Sequence, residues 1–288
     1  MHIENYTLDE IRFSYCYRVY FRWQTHRAAS QPELLNLRAQ SLQEIVAKYQ
    51  INILETGPSR SGISVLASLR PTESVSVCAS KLKGQVSKWI RDRVGPGAAP
   101  SLLAKGYFAK TTGGTTTSSL SQYLENQGEH HGYMDRVRPP IVVRQWEITP
   151  EDEAQLQASH SSTILRHHIV LATPGRRGLF NRKSGSSVAE CWRDVCTSQR
   201  VALMKVSFLP DHVHAAVRVH PKVVPGELVV LLMDAAQGLM YREFDRDVIR
   251  TGNDRIWQAS AYIGSFGDLE SAKVARYIQR LSQDGKVA

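Results

Sequence analysis

Two segments of the chain, 150 residues apart, alternate polar and apolar residues in the same way. Residues 55–71 and 205–221 align without a gap, and both end in proline, at Pro71 and Pro221. Alternation with a period of two places successive side chains on opposite faces of a β-strand. Both segments therefore predict strand structure, and their constant offset predicts an internal repeat.

Other blocks recur in the same order in both halves of the chain. Residues 13–21 match residues 163–173, and both predict opening strands. Residues 81–93 match residues 234–246, and both predict helices. Residues 106–113 match residues 261–267. A helix-like stretch that contains a tyrosine, Tyr123 or Tyr277, follows the last pair. The predicted order in each half is strand, helix, strand, helix, strand or loop, helix.

The repeat predicts two domains of similar size. Residues 1–135 form the predicted first domain, residues 161–288 the second, and residues 136–160 a linker. Two consecutive prolines within residues 138–140 interrupt regular structure, and residues 149–153 begin a short helix with acidic side chains in its first turn.

Composition and charge narrow the class of protein. The chain has 288 residues, of which 42% are apolar and 22% charged, which is typical of globular proteins and excludes a fibrous or wholly disordered chain. We expect no membrane span, because no apolar run approaches ~20 residues, and we expect a cytoplasmic location, since residues 1–5 begin no secretory signal. Four scattered cysteines predict no disulfide framework. The net charge of +9 favours polyanionic partners.

The second half carries a histidine pair with metal-ligand chemistry. On a strand, His212 and His214 project from one face and Val213 from the other. Two imidazoles held about 6–7 Å apart by the strand rise can converge on one divalent ion. A polar face or a hydrogen-bonded pair remains the alternative interpretation. His167 and His168 are adjacent on a strand, so we expect one to pack in the interior and the other to line a groove.

The motifs of the second half resemble a known family. The histidine strand with residues 209–211 before it, the helix that bears Tyr277, and the blocks 166–177 and 257–267 together resemble the HUH single-tyrosine transposases of small bacterial insertion sequences and the related REP-associated tyrosine transposases. The resemblance covers most of residues 163–281. It implies an α+β fold with two tandem ferredoxin-like (RRM-like) domains, central antiparallel sheets and an intramolecular pseudo-dimer.

The resemblance also implies an activity. Members of this family cut and rejoin single-stranded DNA at hairpin-associated ends. His212 and His214 would hold Mg²⁺ or Mn²⁺, which polarises the scissile phosphate, and a helix-borne tyrosine would attack it to form a 5′-phosphotyrosine link. The need for metal assistance is physically reasonable, because phenols have a pKa near 10 and are weak nucleophiles at neutral pH.

The first half departs from the family pattern at the histidines. With the offset of 150 residues, Gly62 and Ser64 stand where the second half has His212 and His214. Neither residue is a ligand comparable to imidazole. We therefore expect the first half to hold no metal ion by this motif.

The tyrosine helix of the first half, by contrast, keeps the family pattern. Tyr123 is followed four residues later by Gln127, a spacing that places both side chains on one helical face. The resemblance implies that Gln127 completes the metal shell. Leu281 holds the corresponding position after Tyr277 and cannot coordinate metal.

These differences predict one composite site. Tyr123 and Gln127 of the first half would act with His212 and His214 of the second. The alternatives are a site in cis with Tyr277 as nucleophile, and a catalytically inactive protein that binds hairpin DNA or RNA. The fused chain would behave as a pseudo-dimeric monomer, with further self-association left open.

Basic side chains provide candidate contacts to the DNA backbone, although a solvated face is an alternative for each group. They lie on the first strand, on the basic helix and on a loop of the second half. The candidates are Arg18, Arg22, Lys81, Lys83, Lys88, Arg176, Arg177, Arg182 and Lys183.

Overall fold

The protein folds into two sheets covered by helices. The computed structural model describes residues 4–25, 37–59, 62–94, 103–127, 142–252 and 254–284, apart from the side chains of Tyr277 and of residues 280–284. Within these residues no helix is long and apolar enough to cross a membrane.

The first half contains five strands and three helices among its described residues. They are β1 (Arg12–Cys16), β2 (Arg18–Gln24), α1 (Ala39–Val46), β3 (Asn52–Ser59), β4 (Gly62–Ser68), α2 (Val75–Val94), β5 (Tyr107–Thr112) and α3 (Thr117–Glu125). Between the halves lie β6 (Val142–Gln145) and α4 (Pro150–Leu156). A capping box between Thr149 and Asp152 starts α4, at the residue where the sequence predicts a helix.

The second half repeats this order with one additional helix, α7 (Asp245–Thr251). Its elements are β7 (Ser161–Ile164), β8 (Arg166–Ala172), α5 (Arg182–Ser198), β9 (Val201–Leu209), β10 (His212–Val219), α6 (Pro225–Glu243), α7 (Asp245–Thr251), β11 (Ser260–Ser265) and α8 (Ser271–Asp284).

Each half contains a ferredoxin-like core. The strands of the first sheet lie in the order β3-β4-β2-β5, and those of the second in the order β9-β10-β8-β11, with antiparallel pairing within each set of four. The connectivity β-α-β-β-α-β is that of the ferredoxin-like fold. The expected fold class, two tandem ferredoxin-like domains with central antiparallel sheets, is confirmed.

The predicted element order is wrong in one respect. Each of the two aligned segments, which the sequence analysis treats as one strand, forms a hairpin of two strands: β3 with β4, and β9 with β10. Only residues 60–61 and 210–211 separate the paired strands. A two-residue connection keeps the alternation in phase, so the pattern alone does not reveal the turn.

The halves exchange their opening strands. β1 pairs in parallel with β11 of the second sheet, and β7 pairs in parallel with β5 of the first. A single residue, Tyr17 or Leu165, separates each exchanged strand from the core strand that follows it. The backbone N–H groups of Leu69 and Val219 donate to the carbonyls of Tyr17 and Leu165, which are equivalent positions in the two halves. The exchange joins both halves into one pseudo-symmetric unit.

The last helices are also exchanged. α3 of the first half packs against β9 of the second sheet, and α8 of the second half packs against β3 and β4 of the first. Leu120 and Leu124 of α3 are buried with Ala216 and Phe266. Val274 and Ile278 of α8 are buried with Tyr20 and Leu66.

Two chain segments cross closely on their way to these helices. The hydroxyl of Thr111 accepts a hydrogen bond from the Arg166 N–H (3.0 Å) and donates to the Phe266 carbonyl (2.9 Å). In the same way the hydroxyl of Ser265 accepts from the Arg18 N–H (2.8 Å) and donates to the Thr112 carbonyl (2.6 Å). We call residues 111–113 and 265–267 the crossing.

Glycine is required on both sides of the crossing. A Cβ atom at Gly113 would lie 2.5 Å from the carbonyl oxygen of Ser265, and one at Gly267 would lie 2.9 Å from that of Thr111. These oxygens belong to the backbone and cannot move independently of the sheets.

We predict that Gly113→Ala and Gly267→Ala each destabilise the protein by about 1–3 kcal/mol, the usual cost of overpacking. The measurement is thermal or denaturant unfolding of the full chain. Gly114→Ala is the matched control, because a Cβ there meets nothing within 4 Å. Equal stability of the Gly113 and Gly114 variants would contradict the close approach.

Candidate functional site

The two histidines of the second half lie together on β10. The ring centroids of His212 and His214 are 5.1 Å apart, and both side chains are buried. Val213 points to the opposite, apolar side and is also buried. His212 Nδ1 lies 2.7 Å from a carboxylate oxygen of Asp211, the last residue of the hairpin turn.

A third histidine joins the pair from β8. His168 Nε2 lies 3.0 Å from His214 Nδ1, and the centroids of the two nearly parallel rings are 5.2 Å apart. His167, the preceding residue, is fully buried on the other face and meets the edge of the Tyr17 ring. One of these two histidines therefore packs inside, as predicted, and that the other lines a groove stays a prediction.

The exchanged helix α3 carries Tyr123 to the histidines. The Tyr123 ring centroid is 5.5 Å from that of His214 and 6.4 Å from that of His168, and the tyrosine is partly exposed. Thr116 caps the helix by accepting from the Ser119 N–H. The tyrosine of the first half therefore lies beside the histidines of the second.

A buried lysine of the second sheet binds α3 through hydrogen bonds and an ion pair. Lys205 of β9 donates to the hydroxyl (2.8 Å) and the carbonyl (3.2 Å) of Ser121 and pairs with the Glu125 carboxylate at 2.5 Å. Only 4% of its side chain is exposed. In the other half Glu55 and Gln279 form the corresponding contact at 2.8 Å.

Gln127 lies just beyond the end of α3. The helix ends at Glu125, so Gln127 reaches back toward Tyr123 by donating from Nε2 to the Tyr123 carbonyl (2.9 Å). The side chain is fully buried, and its Oε1 has no hydrogen-bond partner among the described residues. A buried amide oxygen without a partner is costly unless a further group binds it.

The donor atoms fit a divalent cation. The Nδ1 atoms of His212 and His214 contact Asp211 and His168. A set of two imidazoles and a neutral amide oxygen would suit Mg²⁺ or Mn²⁺. Across the described residues, His, Cys, Asp and Glu side chains form no metal-binding group of three.

Electrostatics near the pair follow from burial and close contacts. Burial lowers the pKa of His168 to about 4, so this ring is neutral at physiological pH. Burial alone would raise the pKa of Asp211, but the hydrogen bond with His212 and the charges of His212 and Arg176 outweigh it and lower that pKa. Asp211 is therefore an anion beside the site.

The equivalent place in the first half is closed. Ser64 Oγ lies 2.8 Å from the hydroxyl of Tyr20, and both side chains are buried. A Cβ at Gly62 would lie 1.9 Å from the Trp23 carbonyl oxygen, so no side chain fits there. Val274 and Ile278 of α8 pack over Tyr20. The side chain of Tyr277, the alternative nucleophile, lies outside the described residues.

The predicted DNA-contacting residues fall into three groups. Arg176 and Arg177 are exposed between β8 and α5, and Arg176 lies 3.4 Å from Asp211. Arg182 and Lys183, which the sequence predicts on the same loop, are exposed in the first turn of α5 instead. On α2, Lys88 is exposed, whereas Lys81 pairs with Glu73 and Lys83 donates to the carbonyls of Ala104 and Lys105. On β2, Arg22 is exposed over the Phe108 ring and Arg18 is partly buried.

The chain is similar to several known proteins. The family model described as "Transposase IS200 like" matches the chain twice, over residues 12–127 and 161–281. The transposases for insertion sequence element IS200 of Salmonella typhimurium and Salmonella typhi are each 24% identical over 136 residues, which cover 47% of this chain and 88% of the relative. A crystal structure assigned as a transposase, from Deinococcus radiodurans R1, has 20% identity and a TM-score of 0.37 and covers 43% of this chain and 96% of that one.

The fold and the double match define a tandem transposase. The chain belongs to the IS200-like transposase family and contains two fused copies of its domain. The expected family and its tandem fusion are thereby confirmed.

The buried His167 predicts an acid-sensitive fold. Burial lowers its pKa to about 3 from an ordinary value of 6.5, and neither ring nitrogen has a partner among the described residues. Below pH 6.5 the unfolded chain therefore binds a proton at this residue that the folded chain does not, and stability falls as the pH falls toward 3.

We expect His167→Leu to remove this part of the acid sensitivity. The stability difference between variant and wild type at pH 7.5 gives the cost of the substitution itself. At pH 5 the difference in free energy of unfolding is about 2 kcal/mol more favourable to the variant than at pH 7.5. The wild type loses roughly 1.4 kcal/mol per pH unit below pH 6.5 through His167, and the variant does not. Chemical denaturation at both pH values measures the shift, and a difference independent of pH would contradict the prediction.

Proposed function

We propose that this protein nicks and rejoins single-stranded DNA at hairpin-associated ends, through one composite site that both halves build. Tyr123 is the nucleophile, and His212, His214 and Gln127 hold a divalent cation. The observation that carries the proposal is the position of Tyr123, which reaches from α3 of the first half to within 5.5 Å, centroid to centroid, of His214 in the second.

The proposed chemistry is a reversible transfer. The phenolic oxygen of Tyr123 forms a bond to the scissile phosphorus as its proton leaves, and the bond from phosphorus to the 3′ oxygen breaks. That oxygen takes up a proton and becomes a free 3′-hydroxyl, while the downstream strand stays attached as a 5′-phosphotyrosine. Attack by a 3′-hydroxyl reverses the step, and no ATP is needed because the phosphodiester is exchanged rather than hydrolysed.

Residues of this chain would hold the cation and orient the side chains that bind it. A bound Mg²⁺ or Mn²⁺ would polarise the phosphate and favour the attacking phenolate. The contact of Asp211 with His212 would orient one of the ligating rings. The carbonyl of Tyr123 orients the amide of Gln127.

The basic loop between β8 and α5 is the proposed entry for the DNA strand. Arg176 and Arg177 of this loop are exposed, as are Arg182 and Lys183 at the start of α5, and Arg176 contacts Asp211 beside His212. Phosphate contacts of this kind position a strand without reading its sequence. The exposed Lys88 and Arg22 are candidate contacts for the hairpin stem, whereas Lys81 and Lys83 already bind protein atoms.

Because the two fused domains share one proposed active site, the protein can make only one cut at a time. In the first half, the place equivalent to the histidine pair is filled, because Ser64 is hydrogen-bonded to Tyr20 and Gly62 has no room for a side chain. It therefore offers no place for a second cation. The protein would therefore cleave one strand at a time and process two ends in sequence.

We predict a covalent adduct that depends on Tyr123. The full chain is incubated with Mn²⁺ and a single-stranded hairpin oligonucleotide from beside the gene, labelled at its 3′ end so that the label stays on the protein. A denaturing gel should show the adduct with wild type and with Tyr277→Phe. It should be absent with Tyr123→Phe and His212→Ala, and absent after chelation of the metal.

The remaining outcomes each decide between hypotheses. An adduct that disappears only with Tyr277→Phe would place catalysis in cis within the second half and overturn the composite site. Tight hairpin binding without any adduct from the wild type would favour an inactive DNA-binding protein. A matching 5′-labelled oligonucleotide should release a fragment with a free 3′-hydroxyl, and its absence would contradict the 5′-phosphotyrosine.

A further inference from the structure

We propose that His168 is a positioning residue for His214. It accepts the Nδ1 proton of His214 and so fixes the tautomer in which Nε2 of His214 carries the lone pair for the cation. The inference rests on the proposed function and extends it to a residue outside the His212–His214 motif.

The contact is direct. His168 Nε2 and His214 Nδ1 are 3.0 Å apart, and the ring planes are inclined by only 17°. A neutral imidazole has one nitrogen that donates and one that accepts. When His214 donates from Nδ1, its Nε2 carries the lone pair, which is directed away from His168.

The sheet fixes the ring of His168 in this place. His168 lies opposite Ala216 on one neighbouring strand and opposite Gly264 on the other. A Cβ at Gly264 would lie 2.7 Å from the hydroxyl of Tyr262, whose ring meets the edge of the His168 ring at 6.0 Å. Small residues on both sides thus provide the space that the ring fills.

The two metal-site histidines then have different partners. His212 contacts a carboxylate, that of Asp211, at 2.7 Å. His214 contacts an imidazole instead, that of His168, at 3.0 Å. Groups that orient a ligating histidine contribute to metal affinity, and their loss typically weakens it by about 10–100-fold.

The first half contains the same pairing with other residues. Tyr20 lies opposite Leu66 just as His168 lies opposite Ala216, and Leu66 and Ala216 are 150 residues apart. The Tyr20 hydroxyl contacts Ser64, the residue that replaces His214, at 2.8 Å. The chain therefore offers a matched control: Tyr20→Phe removes the equivalent hydrogen bond from the half that holds no cation.

The first measurement needs no metal or DNA. Nitrogen-15 NMR of the histidine side chains in the metal-free full chain reports the tautomer of His214. We expect a single Nδ1–H form in wild type and in Tyr20→Phe, and a mixture of tautomers in His168→Leu. His168→Gln should restore the Nδ1–H form, because its amide oxygen can accept the same proton.

The second measurement is Mn²⁺ affinity by titration calorimetry on the same proteins. His168→Leu should bind Mn²⁺ at least about 10-fold more weakly than wild type, while His168→Gln and Tyr20→Phe should stay within about 3-fold. Thermal unfolding confirms that each variant is folded.

The outcomes separate the inference from the proposed function. If wild type and His214→Ala bind Mn²⁺ equally, the proposed metal site itself is wrong. If wild type binds and His214→Ala does not, but His168→Leu retains both full affinity and the Nδ1–H tautomer, only the role of His168 is overturned. Loss of affinity in Tyr20→Phe to the same extent would indicate a general effect on packing and would also contradict the inference.

Discussion

The close crossing of residues 111–113 and 265–267 determines where every later element of each half can go. Backbone meets backbone there, because Gly113 faces the Ser265 carbonyl and Gly267 faces that of Thr111. At this point the chain passes from each sheet to the other, so α3 packs on the second sheet and α8 on the first. Without the crossing, Tyr123 would have no route to the histidines of the other half.

The pseudo-symmetry of the backbone contrasts with the asymmetry of the two pockets. His214 has the rings of His212, His168 and Tyr123 as neighbours, and the buried Lys205 binds the helix that carries Tyr123. Around Ser64 the space is filled by Tyr20 and by apolar residues of α8, and Gly62 has no room for any side chain. In a symmetric homodimer both pockets would have to change together. A fused chain removes this constraint, so one pocket can become part of the core while the other keeps its polar contacts.

The family, the fold class and the exchange of the tyrosine helix were predictable because they follow from patterns that survive in the residues. The repeat offset aligned the halves, and the retained Tyr123 and Gln127 indicated which helix had to meet which histidines. The hairpins were not predicted, because a two-residue connection leaves the alternation of polar and apolar residues in phase. The exchanged strands β1 and β7 escaped because pairing partners far apart in sequence leave no local signal. His168 had a partial signal, since adjacent strand histidines must face opposite ways, but its contact with His214 depends on strand register.

The central claim is that one half supplies the nucleophile and the other the histidines. The most direct test is mass spectrometry of the protein after reaction with a short hairpin oligonucleotide, followed by nuclease trimming and proteolysis. Fragmentation of the modified peptide then locates the residual nucleotide on a single residue. The account predicts that it is attached to Tyr123, in the peptide that follows Lys110. Attachment to Tyr277 would contradict it, because the nucleophile would then belong to the same half as His212 and His214.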